Sequence, residues 1–372
     1  MSGFNSQILI ISPEAWSAHS VSKHHYAITL ASQNNQVYFL NPPDDNILKI
    51  NQTKYKNLST ITDKRVAKGL RFYPKFLREI IIKRWLEKVE KIIKNKFDII
   101  WLFENSRFYD MGFAGDRVKI YHQVDLNQNF HVAEASLSAD ICFGTTDYII
   151  RNIERYNKKA YKIHHGVALT NDSYNLSKEQ EERFIHQKIN ISYIGNIDIS
   201  FLDIDILKSL VAKYSDIIFH LVGGYDDSKS NFNLLKEFKN IIWWGRVESS
   251  FIPLILVKSD ISILLYKANS EYEKAQLANP HKIMEYLASG KVVVSTYTDE
   301  YKDKRELLEM VDNSKDYLDR FESVINNLDF YNSKENQKVR VAFAQSHSYE
   351  KQLEKIDRYF KMYNLKYKMV NK

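Results

Sequence analysis

A single cysteine, six prolines and eleven glycines leave this chain of 372 residues with little punctuation. One cysteine excludes an internal disulfide framework, and the apolar setting Ile141-Cys142-Phe143 predicts a buried, inert thiol. No apolar run approaches the ~20 residues that a membrane-spanning helix needs. The first residues, Met1 to Leu9, lack the charged start and apolar centre of a signal peptide, so a cytoplasmic location is expected. Repeats and low-complexity tracts are also absent. His24 and His25 are adjacent, and no cysteine pair or carboxylate cluster has ligand spacing, so no metal and no cofactor are expected. Asp203-Ile204-Asp205 opens a helical pattern and reads as helix-start charge.

What is present is charge, distributed unevenly. Between Lys64 and Lys96 stand twelve Lys or Arg against Glu79, Glu87 and Glu90, an excess of nine that exceeds the +7 of the whole chain. Within that stretch Leu77, Ile81, Trp85, Val89 and Ile92 recur at helical spacing from Phe76 to Lys94. Such a helix either packs on its own sheet with a solvated basic face or docks on an anionic membrane surface, with Trp85, Phe72 or Tyr73 at the interface. A nucleic-acid partner is not expected, because no recognised binding motif accompanies the charge.

The length calls for two domains. Short β-rich runs alternate with helical patterns, the signature of parallel α/β layers. The first series of strands is 7–11, 36–40, 98–103, 118–121, 141–143 and 160–163; the second is 191–194, 217–222, 241–244, 260–265 and 291–295. The polar stretch Ala168 to Lys188 between the series reads as a linker. Gly144, Gly195, Gly223, Gly224 and Gly245 each follow a strand, either as ordinary tight turns or as places where backbone approaches a ligand. Four of the five fall in the second half.

One segment combines several of these signals: Asn279-Pro280-His281-Lys282-Ile283-Met284-Glu285-Tyr286-Leu287-Ala288-Ser289-Gly290, followed by Val292-Val293-Val294. It reads as a helix capped by Asn279, started by Pro280 and stopped by Gly290, and then a buried strand. Lys282, Glu285 and Ser289 share one stripe of that helix. A cation and a carboxylate near a helix start suit a ligand with both phosphate and hydroxyls.

The second half resembles the donor domain of GT-B glycosyltransferases, most closely family 4 and its bacterial polysaccharide relatives. The matching pieces are Tyr193-Ile194-Gly195-Asn196, Phe219 to Gly224, Ile241 to Val247, Ser259 to Tyr266, and the helix segment through Ser295. The resemblance implies an α/β GT-B fold: two Rossmann-like domains facing a cleft, at 1–170 and 171–345, with a last helix, 346–372, crossing back to the first. It further implies a retaining, metal-independent transfer from a UDP-, GDP- or dTDP-sugar to a glycan or lipid-linked acceptor in polysaccharide assembly. Donor contacts would then be Glu285 on the ribose and Lys282, Asn279, Pro280, His281, Arg246, Val247, Gly195, Gly223 and Gly224 about the phosphates and nucleotide. Two departures stand out. The family's second glutamate is replaced by Leu277, and its Arg and Lys after the first strand are missing, Gly195 being followed by Asn196, Ile197 and Asp198. Glu271 and Glu273, on a loop, are alternatives for the sugar contact.

Acceptor-side residues are sought after first-half strands. Glu14 and His19 read as base or phosphate contact, or as exposed loop residues; Trp16 reads as a sugar-stacking ring or a core plug, and Ser20 lies beside them. His122 and Asp125 follow another strand and resemble the family's acceptor-side region. His165 reads as structural, with catalysis as the alternative. A sugar-nucleotide epimerase of the same fold, acting on donor alone, is the competing function.

Overall fold

The computed structural model describes residues 6–17, 21–44, 47–64, 66, 69–126, 129–168, 175–228, 230–268 and 270–365. The chain divides into two compact units, Met1–His165 with Tyr349–Lys372, and Gly166–Ser348.

The first unit holds an eight-stranded sheet: β1 (Gln7–Ile11), β2 (Gln36–Leu40), β3 (Lys49–Gln52), β4 (Leu58–Thr62), β5 (Ile99–Leu102), β6 (Val118–Gln123), β7 (Ile141–Gly144) and β8 (Ala160–Lys162). The second holds six strands: β9 (Asn190–Ile194), β10 (Ile218–Val222), β11 (Ile241–Gly245), β12 (Ile261–Leu264), β13 (Val292–Ser295) and β14 (Glu309–Met310). Their orders are β3-β4-β2-β1-β5-β6-β7-β8 and β11-β10-β9-β12-β13-β14. All pairs are parallel except β3 with β4. Runs such as Ile-Leu-Ile-Ile in β1 and Val-Val-Val in β13 form strands because helices cover both faces, leaving every position apolar. In each sheet the order reverses beside the first strand, between β1 and β5 and between β9 and β12. Those switch points, at the carboxyl ends of the strands, are where such sheets open a crevice.

The last helix, Tyr349–Met362, buries Tyr349, Gln352, Leu353, Ile356 and Phe360 at three- and four-residue spacing within the first unit. Tyr359 stacks on Tyr161 with ring centroids 3.9 Å apart, and Tyr349 on His25 at 4.9 Å. Where the chain passes between units, Val167 bridges to Ser348, both in the second unit.

Four expectations need correction. The stretch read as a linker is partly folded into the second core, with Leu176 and Phe184 buried and the Phe184 ring 4.3 Å from His220. Glu271 and Glu273 stand on a helix, Glu271–Gln276, closed by a capping box from Ser270, rather than on a loop. The helix of the glycine-terminated segment runs Lys282–Ala288 with His281 at its N-cap, so Asn279 does not cap it; Pro280 and His281 form the preceding turn. The basic helix, Lys75–Ile93, turns a rotated face inward: Trp85 and Val89 of the expected stripe are buried, together with Arg78, Ile82, Leu86 and Glu90, while Leu77 and Ile92 are exposed. Arg78 lies 4.3 Å over the Tyr109 ring and Glu90 pairs with Arg117 at 2.6 Å, which lets two polar residues occupy the inner face. Trp85 donates Nε1–H to Asp63 at 2.7 Å and is no interface anchor.

Candidate functional site

At the carboxyl end of the second sheet, β9 and β10 both run into glycines with positive φ, +154° at Gly195 and +145° at Gly223. The turns are laced together: Gly195 N–H donates to Val222 O at 2.7 Å, Gly223 N–H to Gly245 O at 2.8 Å, and Ile197 N–H to Gly224 O at 3.0 Å. A Cβ on Gly223 would overlap the Gly195 carbonyl, and one on Gly195 would overlap Lys282 Nζ. Conformation therefore favours glycine at both, and contact with rigid backbone requires it at Gly223.

Lys282 opens the helix Lys282–Ala288 and folds over these turns. Its ammonium donates to Tyr266 Oη at 3.0 Å and lies 5.5 Å from the Tyr193 ring centroid. The helix is pinned to the sheet by Tyr286, whose hydroxyl accepts the Ile194 N–H at 2.9 Å. Arg246, exposed at the end of β11, approaches Gly224 closely enough that a Cβ there would sit 3.0 Å from its Nε. Two cations thus flank a surface of bare backbone, an arrangement suited to a diphosphate.

Glu285 follows Lys282 by three residues, on the same side of the helix. Burial pushes its carboxyl up from the usual glutamate range to about 7, against the opposing pull of Lys282. Asn279 is buried, Pro280 and Val247 are half-buried, and His281 is exposed. Leu277 is buried in the core with Tyr266, Ile283 and Met284, so no charge stands at the position of the family's second glutamate. Of its proposed replacements, Glu271 pairs with Lys274 at 3.0 Å and Glu273 Oε2 accepts the Ser270 N–H.

Beside the β9–β12 switch point lies a polar cavity of about 330 Å³. Asp198 and Ser200 line it from the loop after β9, Lys267 from the segment after β12, and Asn231 from a neighbouring helix. Asp198 Oδ2 accepts the Asp226 N–H at 2.7 Å, while Oδ1 is buried without a partner. None of these four, nor Tyr266 or Tyr286, was singled out from sequence as a site residue. The signal was weak for Asp198, Ser200, Asn231 and Lys267, which sit in no motif; Tyr266 and Tyr286 lie inside matched pieces but are apolar enough to read as core.

The first unit treats its strand ends differently. His122, on β6, is 1% exposed between the rings of Tyr26, Trp101, Phe103 and Phe143, with centroids 5.0–6.0 Å away. Neither ring nitrogen has a hydrogen-bond partner, and burial lowers its pKa to about 3. It is sealed from any substrate and does not fit the acid–base role expected of it. Glu14 is also committed, to the buried Lys23 at 2.7 Å. Trp16 is half-buried and packs on His24, Phe39 and Tyr55. His165 Nδ1 shares a hydrogen bond with Ser22 Oγ at 2.9 Å, a structural tie. Asp125 is exposed just beyond β6. His19 and Ser20 lie outside the described residues.

No family model matches the chain. A putative teichuronic acid biosynthesis glycosyltransferase, TuaH of Bacillus subtilis (strain 168), is 28% identical over 166 residues, 42% of this chain and 40% of that protein. The match therefore spans about two fifths of the curated relative's length. Among solved structures, a sucrose-phosphate synthase from Thermosynechococcus elongatus covers 97% of this chain and all of its own, with a TM-score of 0.70 at 13% identity. Anabaena HepE, solved with UDP and glucose, covers 96% of this chain and 99% of its own, with a TM-score of 0.68 at 11% identity. Those likenesses establish the fold: the chain is a GT-B protein.

Proposed function

We propose that this chain is a glycosyltransferase that moves a sugar from a nucleotide-sugar donor to a hydroxyl of a glycan or lipid-linked acceptor in cell-surface polysaccharide assembly, on the cytoplasmic side of the membrane. One observation carries the reading: Gly195, Gly223, Gly224 and Arg246 from three strand ends, with Lys282 from a helix start, lie about one surface that suits a diphosphate. The names of the relatives, a glycosyltransferase and a synthase, favour transfer over epimerisation of the donor alone.

In this reading the backbone at Gly195 and Gly223 lets the diphosphate approach, and Lys282 and Arg246 neutralise the charge that grows as it leaves. That electrostatic work is done by side chains, so the transfer is metal-independent. Glu285 accepts hydroxyl hydrogens of the ribose; bound donor holds it ionised by supplying those hydrogen bonds. Asp125 remains the exposed carboxylate on the acceptor side. Retention is the expected outcome, with the leaving phosphate assisting departure and attack on one face.

HepE was solved with UDP-glucose, so a UDP-sugar is the first donor to try. UDP-, GDP- and dTDP-sugars are compared for their effect on the melting temperature of the wild-type chain and of Lys282→Ala. Stabilisation by one nucleotide sugar, lost in the variant, is expected. Equal response of both proteins, or none to any nucleotide, overturns the assignment.

A further inference from the structure

The geometry points to an anionic lipid bilayer as the partner of one defined surface, the outer face of the helix Lys75–Ile93 and the turn before it. Phe72 is 78% exposed, Phe76 61% and Ile80 44%, with Tyr73 and Leu77 near 40%, a run of large apolar side chains left in water. Phe76, Leu77 and Ile80 share one helix face with Lys83, Arg84, Lys88 and Lys91, at offsets of three, four and seven residues. All four cations are exposed. Acidic groups that would cancel them are largely spent elsewhere: Glu90 is buried against Arg117, and Glu79 lies 3.9 Å from Lys75. Glu87 is the exposed acidic residue on that face.

The face is graded along its length, apolar in the first two turns and basic in the next three. Such a gradient fits a helix that dips its leading end among acyl chains while its basic turns meet phosphate headgroups. It differs from a symmetric apolar patch, which would suit a second copy of this chain. Of the stripe expected from sequence, Trp85 and Val89 point into the core and take no part, whereas Leu77 belongs to this face. Docking would bring the proposed transferase to a lipid-linked acceptor, and to that extent it extends that reading; its test uses neither donor nor acceptor, so either idea can fail alone.

The full chain is sedimented with phosphatidylglycerol–phosphatidylcholine vesicles and with phosphatidylcholine vesicles. Binding to the first but not the second, weakened by salt, is expected. Lys83→Glu with Arg84→Glu should reduce binding about thirtyfold or more, at about fivefold per basic residue removed. Phe76→Ser with Leu77→Ser should reduce it about tenfold while leaving the melting temperature unchanged, since both side chains are exposed. Equal binding to both vesicle types, binding indifferent to both variant pairs, or none at all overturns the proposal. So does a dimer in sedimentation equilibrium that the Phe76 and Leu77 changes dissolve, which would assign the face to a second copy. Duplex DNA binding that survives moderate salt would assign it to nucleic acid instead.

Discussion

The two units are built on the same plan and finish their strands in opposite ways. In the second, β9, β10 and β11 end in glycines, and the space above them is bounded by backbone and two cations. In the first, β6 ends among Tyr26, Trp101, Phe103 and Phe143 around an unpartnered His122, and Gly144 at the end of β7 is filled by Ile149 from its own helix. A topological switch point offers a crevice in both sheets, but side chains decide whether it stays open. Bare backbone with nearby positive charge receives an anion; stacked rings exclude one.

The largest effect that would sharpen this contrast is at the glycines. Gly223→Ala puts a methyl group into the rigid Gly195 carbonyl and forces a positive φ on alanine, so a loss of ~2–4 kcal/mol is expected with loss of nucleotide binding. Gly144→Ala carries no positive-φ strain but drives its methyl group against the buried, β-branched Ile149, and should cost less, ~1–3 kcal/mol. Denaturant titration of both variants checks the pair; equal losses would erase the distinction. Next, Lys282→Ala should weaken nucleotide binding by ~2 kcal/mol, about thirtyfold, measured by calorimetry, while stability changes little.

Glu285→Gln tests the electrostatics of the open site. Its folded pKa lies above the unfolded value, so the fold favours the protonated acid; that contribution is present below pH 4.5 and lost as pH rises through about 7. The neutral glutamine should therefore raise the stability of the ligand-free chain by ~1–2 kcal/mol at pH 8, after discounting for partial exposure, and change it little at pH 4. Donor affinity should fall. Thermal unfolding at the two pH values, with and without nucleotide, reads both effects. His122→Phe is the smallest change and the sharpest test of the sealed site. The native ring is held neutral with a pKa near 3, a contribution present above pH 6.5 and lost as pH falls toward 3. Phenylalanine should keep transfer intact, alter neutral stability by less than ~1 kcal/mol and flatten the acid limb. Loss of transfer would return His122 to the chemistry.

Strands covered on both faces were legible because they leave continuous Val, Ile and Leu runs, and their ends moved by only a residue or two. β3 and β4 were not read: Lys-Ile-Asn-Gln lies on an exposed edge, and Leu-Ser-Thr-Ile-Thr alternates with polar residues. β14 is two residues long. Helical periodicity placed the basic helix but set its face wrongly, since Arg78 and Glu90 enter the interior through Tyr109 and Arg117, partners distant in sequence. The same limit governed the candidate sites. Lys282 and the glycines could be read from local spacing, whereas the sealing of His122 depends on rings from three other segments and the capture of Glu14 on Lys23.

Leu277 carries a consequence for where charge can stand in the second unit. It ends the helix Glu271–Gln276 and is packed with Tyr266, Ile283 and Met284, the same side chains that support the Lys282 helix. A glutamate there would bury an unpaired charge in the core that carries the Lys282 helix. Acidic groups at this corner of the second unit are therefore confined to positions outside that core, such as Glu285 on the neighbouring helix.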